Sequence, residues 1–181
     1  DCVAHAFDPT LLPAPRPTLN SGNSKTILSS KANISGNFQA NGHGIPSQKN
    51  WSIRGRALVT DVPITYLGYV NRGTGVIEEP GHPLDGTPIK DTILIYPKGS
   101  GSTVAPFVLM GLIYTGRGPM GIINSDVCPL TLPAASLLGT PYAHSFDADP
   151  IMNINSGDLV QMQLSDRKTT IKVISRNGEE R

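Results

Sequence analysis

Short apolar segments separated by turn-forming residues follow one another from Trp51 to the end of the chain. Alternating, β-branched or continuous apolar residues are the patterns of half-buried and fully buried strands. They predict strands at 53–62, 91–97, 119–125 and 142–146, and a β-hairpin from 157–164 and 168–174. Strand-forming segments therefore run through the whole of this part of the chain.

Two further segments predict helices that lie between the strands. PFVLMGLIYTG (106–116) is apolar around most of its circumference, with Pro106 in its first turn and Gly116 at its end. LTLPAASLLG (130–139) predicts a short helix that ends at Gly139. EEPGHPLDGTPIK (78–90) is rich in proline and glycine and predicts a surface loop. The order of elements indicates an α/β domain with a mixed sheet.

The first part of the chain has a different pattern. Residues 1–49 are dense in Pro, Ser, Asn and Gly and show no sustained periodicity, which predicts a linker or an arm that lies on a neighbour. The folded domain is predicted at 50–175 and a C-terminal tail at 176–181. Because the sequence starts at Asp1 without Met, we expect it to derive from a longer polypeptide.

Composition narrows the function classes. The 181 residues carry a formal net charge of +1, which gives no electrostatic basis for binding nucleic acid or an anionic membrane. No apolar run approaches the roughly 20 residues of a membrane span, and no signal-peptide pattern is present, so we expect a cytoplasmic protein. The two cysteines, Cys2 and Cys128, form no CxxC motif, and Cys2 with His5 supplies too few ligands for a metal site.

The loop KGSGSTVAP (98–106) is the strongest candidate site. It joins a predicted buried strand to a predicted helix, so its backbone N–H groups and the helix dipole favour a bound anion such as a carboxylate or phosphate. Ser102 or Thr103 could instead cap the helix. The sequence of the loop does not match the motif of a P-loop, a nucleophile elbow or a dinucleotide-binding fingerprint.

The other polar residues that could take part in catalysis or ligand binding are interpreted as structural. His82 is a loop histidine, and His144 lies in a predicted core strand as an internally bonded side chain. The remaining acids are interpreted as solvated or turn-forming, and they are Glu78, Glu79, Asp85, Asp147 and Asp149. No Ser-His-Asp set can be assembled by motif.

Taken together, the motifs between residues 53 and 164 resemble the swivel (small) domain of aconitase X. The matching residues are Ala57-Leu58-Val59, Pro63, Thr65-Tyr66, Thr74-Gly75, His82-Pro83-Leu84-Asp85-Gly86 and Gly99-Ser100-Gly101-Ser102-Thr103. The Gly-Ser loop alone would be a weak signal, but several separated motifs in the same order are specific.

The resemblance implies a swivelling β/β/α domain with a mixed, barrel-like sheet that closes over the large catalytic domain of a dehydratase. It implies that iron or an iron–sulfur cluster is carried by the large domain, with no cofactor or metal bound by this chain. By motif position Ser102 would be the catalytic base that removes a proton beside a carboxylate. Substrate-binding roles fall on Gly101, Thr103, Thr65, Tyr66 and Gly68, and a second-shell role falls on His82.

The resemblance also bears on the substrate. Aconitase has an arginine directly after its paired hydroxyl residues, whereas this chain has Val104, which argues against a tricarboxylic acid. The family implies a hydroxy acid such as cis-3-hydroxy-L-proline or, in two-subunit forms, mevalonate 5-phosphate. The Pro-rich first segment resembles the connector of fused large-plus-small polypeptides, which favours the hydroxyproline reaction. A non-catalytic partner-binding domain and an independent binder of small anions are the other hypotheses.

Overall fold

The computed structural model describes residues 37–46, 48–166 and 168–178. The strands are β1 (Gln39–Gly44), β2 (Trp51–Val59), β3 (Ile64–Thr65), β4 (Thr92–Tyr96), β5 (Gly99–Ser100), β6 (Gly121–Asn124), β7 (Tyr142–His144), β8 (Leu159–Ser165) and β9 (Lys168–Ser175). The helices are α1 (Tyr66–Tyr69), α2 (Ala105–Tyr114), α3 (Leu132–Leu138) and α4 (Pro150–Asn153). The Cys2–His5 pair and residues 1–36 of the predicted arm lie outside the described residues.

Seven strands close into one barrel in the order β1-β7-β6-β4-β2-β8-β9, while β3 and β5 form a separate two-stranded sheet. Strands β7, β6, β4 and β2 are neighbours and run parallel. The other barrel pairings are antiparallel. Because parallel strands end at the same edge of a sheet, the loops that follow β2, β4, β6 and β7 come together at one end of the barrel.

Strand β4 shows why the domain has two apolar cores. Successive side chains of a strand point to opposite faces, and β4 is buried on both. Ile93 and Ile95 pack in a cluster with residues from all seven barrel strands, which fills the barrel. Leu94 and Tyr96 pack in a second cluster with α2 and α3, which covers the outside of the parallel strands. Because β4 is buried on both faces, its sequence is a continuous apolar run and does not alternate between apolar and polar residues.

The predicted strands, helices and hairpin are confirmed to within a few residues at their ends. Helix α2 has Pro106 in its first turn and is followed by Gly116 with φ +68°, and α3 ends at Gly139 with φ +70°. Elements β1, β3, β5, α1 and α4 were not predicted. Asp149 caps α4 by accepting the Ile151 N–H at 2.9 Å. In the described part of the chain, no helix combines the length and apolar character needed to cross a membrane.

The predicted boundary at residue 49 is wrong, because β1 lies within the segment assigned to the arm. Strand β1 pairs with both β7 and β9 and so completes the barrel. Its glycines are required by close packing rather than by a turn. A Cβ atom on Gly42 would lie 2.8 Å from the His144 carbonyl oxygen, and one on Gly44 would lie 2.7 Å from Thr169 Oγ1.

The predicted tail at 176–181 is also corrected at its first residues. The Arg176 guanidinium lies 2.8 Å from Asp158 Oδ2, and both side chains are nearly buried. The Asn177 backbone N–H donates to Asp158 Oδ1 at 2.8 Å. Residues 176 and 177 therefore belong to the folded domain, while 179–181 lie outside the described residues.

Candidate functional site

The Gly-Ser loop lies at the carboxyl end of β4, between that strand and α2. Its first residues form β5, which pairs with β3 so that Thr65 lies opposite Ser100. The chain then turns at Gly101, whose φ of +100° is open to glycine and rarely to other residues. The strand, small-residue loop and helix predicted from the sequence are therefore confirmed.

Ser102 lies three residues before the start of α2 and is half-buried. Its Oγ accepts a long hydrogen bond of 3.4 Å from the Val104 N–H, and its carbonyl accepts the Ala105 N–H at 2.8 Å. The N-cap residue is Val104, so the alternative that Ser102 or Thr103 occupies that position is wrong. The first turn of α2 contains no acidic residue. An anion formed at Ser102 Oγ would thus lie beside the Val104 N–H and near the positive end of the helix dipole.

A groove of about 490 Å³ lies beside the loop, where the carboxyl ends of β4 and β6 meet, and it reaches Ser100 and Gly101, the two residues before Ser102. It is lined by Pro97, Lys98, Gly99, Ser100, Gly101, Ser125, Asp126, Val127, Cys128, Pro129 and Leu130. Lys98 and Asp126 are its two charged residues, and both are exposed. Neither takes part in an ion pair within the described residues. The groove therefore offers one charge of each sign beside the loop.

Asp126 is fixed as a carboxylate by its neighbours. The Ser145 hydroxyl donates to Asp126 Oδ1 at 2.7 Å, and the Val127 N–H donates to the same atom at 3.2 Å. These two hydrogen bonds lower the pKa of Asp126, and the Ser145 contribution is the larger. Sequence analysis did not single out Asp126. The signal that could have found it is its position directly after the predicted strand 119–125 in a chain whose element order favours a partly parallel sheet.

His144 contacts Ser145, the residue that donates to Asp126, and it is less buried than predicted. Its side chain is half-exposed, and its Nδ1 lies 2.9 Å from Ser145 Oγ. Burial of part of the ring lowers the pKa of His144, and the nearby His43 lowers it further. The prediction of a fully internal histidine is therefore wrong, although the predicted internal hydrogen bond is present.

Thr65 and Glu79 connect the loop to the 78–90 segment. Thr65 Oγ1 lies 2.8 Å from Ser100 Oγ and 3.4 Å from Glu79 Oε1. Glu79 is half-buried and therefore not a solvated acid, but its carbonyl accepts the His82 N–H at 3.0 Å, so the alternative of a turn-forming residue is confirmed. Glu78 and Asp85 are exposed, as that interpretation requires.

Tyr66 and Gly68, two of the residues with predicted substrate-binding roles, lie outside the serine loop. The Tyr66 side chain is fully buried, and its hydroxyl lies 2.6 Å from that of Tyr96, which in turn lies 3.0 Å from Thr131 Oγ1. Burial is the main reason that the pKa of Tyr66 is raised well above its ordinary value and that of Tyr96 to about 12. In this arrangement Tyr66 supports the core and does not reach a substrate. Gly68 is exposed with φ +91°, and a Cβ there would contact nothing within 4 Å.

Thr103 and His82 were also singled out from the sequence. Thr103 is exposed next to Ser102. His82 is 7% exposed, and its Nδ1 accepts the Leu84 N–H at 3.0 Å, so Nε2 carries the proton of the neutral ring. Nε2 is buried and has no hydrogen-bond partner within the described residues. The Nδ1 contact shows that His82 braces its own loop.

The described residues do not fit a metal or iron–sulfur centre. No three His, Cys, Asp or Glu side chains in this part of the chain lie close enough together to hold a metal ion. Cys128 is buried, and its sulfur accepts the Gly99 N–H at 3.3 Å. No chemical step can therefore be assigned to a metal held by these residues.

A closed mixed barrel that presents a serine loop at the carboxyl edge of its parallel strands defines a swivel-type α/β domain. Residues 46–173 match the aconitase X swivel domain family, and the chain belongs to that family. The predicted family and the predicted fold class are therefore confirmed.

Relatives and solved structures agree with this family. The chain is 39% identical over 106 residues to the phosphomevalonate dehydratase small subunit of Methanocella arvoryzae, covering 59% of this chain and 80% of that one. It is 34% identical over 112 residues to the small subunit of the same name from Methanosarcina acetivorans, covering 62% and 78%.

The crystal structure of aconitase X from Thermococcus kodakaraensis has the same fold, with a TM-score of 0.65 and 23% identity, covering 74% of this chain and 97% of that one. Together with the family match, these relatives place the chain as the swivel domain of an aconitase X-type hydro-lyase.

Proposed function

We propose that this domain supplies the general base, Ser102, for dehydration of a small hydroxy acid when it closes over a separate catalytic domain. The observation that carries the proposal is the position of Ser102 Oγ at the start of α2, where it accepts the Val104 N–H at 3.4 Å. A serine hydroxyl is a poor base at its ordinary pKa and needs stabilisation of its anion. Backbone N–H groups and the helix dipole provide part of that stabilisation.

The proposed reaction is an elimination. As its anion, Ser102 Oγ takes the proton from the carbon beside the substrate carboxylate. The electron pair of that C–H bond forms the double bond, and the hydroxyl group on the next carbon leaves as hydroxide with the C–O electron pair. Transfer of the proton from Ser102 to the hydroxide gives water and restores the base. A metal centre on the catalytic domain would act as Lewis acid on the departing hydroxyl. This domain contributes the base and excludes water when the cleft closes. Neither component is expected to turn over substrate alone.

The groove favours a zwitterionic substrate such as cis-3-hydroxy-L-proline. Lys98 can bind a carboxylate, and the ionised Asp126 can bind the ring ammonium of an imino acid. Mevalonate 5-phosphate has two anionic groups, one of which would face Asp126. It remains the second candidate because the relatives from Methanocella and Methanosarcina are phosphomevalonate dehydratase small subunits.

The experiment combines this chain with the aconitase X catalytic domain of the same organism and follows loss of water from each substrate by mass spectrometry. We expect turnover by the complex and none by either component, with cis-3-hydroxy-L-proline preferred. If the complex preferred mevalonate 5-phosphate, that compound would be assigned as the substrate instead. Tight binding of either compound by this chain alone would instead favour an independent binder of small anions.

The outer face of α2 provides an apolar surface next to Ser102 that suits the partner domain. Val104, Phe107 and Tyr114 lie along it and are 45%, 59% and 83% exposed. We expect Phe107→Ser to raise the Kd for the catalytic domain about tenfold or more, as loss of a buried aromatic anchor does. Isothermal titration calorimetry measures it. The control is Met152→Ser, which alters an equally exposed apolar side chain on α4, next to the other core. Equal effects of the two variants would contradict this surface.

A further inference from the structure

We propose that Glu79 is a positioning residue for the serine loop. Through the Thr65 hydroxyl it fixes Ser100 and Gly101, and thereby the position of Ser102 Oγ. The inference rests on the proposed role of Ser102 and adds to it a carboxylate that lies far from the loop in sequence.

Thr65 holds the loop by three kinds of contact. Its hydroxyl lies 2.8 Å from Ser100 Oγ, and its backbone pairs with Ser100 in the β3–β5 sheet. Its methyl group packs against Gly101, since a Cβ built on that glycine would lie 3.1 Å from Thr65 Cγ2. A shift of Thr65 would therefore move the two residues that directly precede Ser102.

The carboxylate of Glu79 sets the direction of the hydrogen bonds. An ionised carboxylate can only accept, so the Thr65 hydroxyl donates to Glu79 Oε1 at 3.4 Å. The Ser100 hydroxyl must then donate to Thr65 Oγ1 at 2.8 Å. Ser100 lines the groove and, with its one proton used, can only accept from a further partner. An amide in place of the carboxylate could also donate, so the order of the chain would no longer be fixed.

The position of Glu79 carries a desolvation cost that an exposed acid in a surface loop would not have. Its Oε2 is buried and accepts no hydrogen bond from the described residues. A buried polar atom without a partner destabilises the folded protein, and such atoms in native proteins call for an explanation such as a catalytic role. The adjacent Glu78 is exposed and accepts from Asn71 Nδ2 at 2.9 Å. Glu79 therefore differs from its neighbour in burial and in its link to the serine loop.

The test measures kinetics of the complex between this chain and the catalytic domain. Glu79→Gln keeps the size of the side chain and removes its charge. We expect kcat to fall about 10- to 10²-fold, because small displacements of a catalytic group have effects of that size. We expect KM to stay within about twofold and the melting temperature to be retained, because substrate binding and the core are untouched. The matched control Glu78→Gln should leave kcat unchanged.

Two variants of Thr65 keep the test decisive even where Glu79→Gln fails to fold. Thr65→Val keeps the shape and removes the hydroxyl, so it should reproduce the loss in kcat. Thr65→Ser keeps the hydroxyl and should retain more activity. Glu79→Gln combined with Thr65→Val should be no slower than either single variant, because both act through one hydrogen-bonded chain. Wild-type kcat in Thr65→Val, or full additivity in the double variant, would overturn the proposal.

The Ser102→Ala background separates this inference from the proposed function. Adding Glu79→Gln there should cause no further loss of rate, because the group that Glu79 positions is already absent. If Ser102→Ala is inactive while Glu79→Gln and Thr65→Val have wild-type kcat, the positioning role fails and the base assignment stands. If Ser102→Ala is itself fully active, the base assignment fails.

Discussion

Replacing Ser102 with alanine should lower the kcat of the reconstituted dehydratase by about 10²- to 10⁴-fold, the range that general bases contribute. The fold should be retained, because Ser102 is half-buried and, among the described residues, its Oγ accepts only the long contact from the Val104 N–H. Steady-state kinetics of the complex measures the rate, and circular dichroism of the chain checks the fold. Little change in KM is expected where the hydroxyl acts mainly in the transition state.

Ser136→Ala provides the matched control for this prediction. Ser136 is exposed on α3, so the same chemical change away from the loop should leave kcat unaltered. A Ser102→Ala complex with near wild-type turnover would contradict the base assignment. It would favour the hypothesis of a non-catalytic domain that acts by binding its partner.

Replacing Asp158 with alanine should lower the free energy of unfolding by about 3–5 kcal/mol, the cost of breaking a buried ion pair by removing one partner. The Asp158 side chain is 1% exposed and that of Arg176 is 11% exposed. Asp158 also accepts the backbone N–H groups of Asn155 at 3.0 Å and Asn177 at 2.8 Å. Urea denaturation followed by tryptophan fluorescence measures the change, and a total stability of about 5–15 kcal/mol is typical of such domains.

The control for this second prediction is an exposed ion pair. Lys90 Nζ lies 3.8 Å from Asp91 Oδ2, and the two side chains are 53% and 79% exposed. Lys90→Ala should change the stability by less than about 1 kcal/mol, because solvent screens exposed pairs. A loss below about 1 kcal/mol for Asp158→Ala would show that the C-terminal residues are not needed to stabilise the domain.

The parts of the fold that local sequence signals define were predicted well. Proline in the first turn and glycine after the last turn delimit α2, and the apolar run before the loop marks β4 as buried on both faces. The Gly-Ser loop could be placed between them because both flanks were recognisable. These signals need no knowledge of distant residues, which is why the loop could be placed from the sequence. The choice of Ser102 as its base came from the family resemblance and not from these local signals.

The parts that depend on distant contacts were missed. Gly42 and Gly44 suggest a loop in isolation, and only their close contacts with other barrel strands show that they belong to one. The partner of Glu79 is Thr65, which no sequence spacing connects to it. Arg176 lies beyond the last predicted strand, and only its contact with Asp158 shows that it belongs to the folded domain.

The strand β1 also determines where the chain can be cut. The family match begins at residue 46, after β1, yet β1 fills the gap between β7 and β9. A chain that starts at the family boundary would leave two neighbouring strands with unpaired N–H and C=O groups. Such open edges pair readily with other molecules and lead to aggregation. The smallest unit that can be expressed and moved as an intact swivel therefore includes the glycine-rich segment before the family boundary.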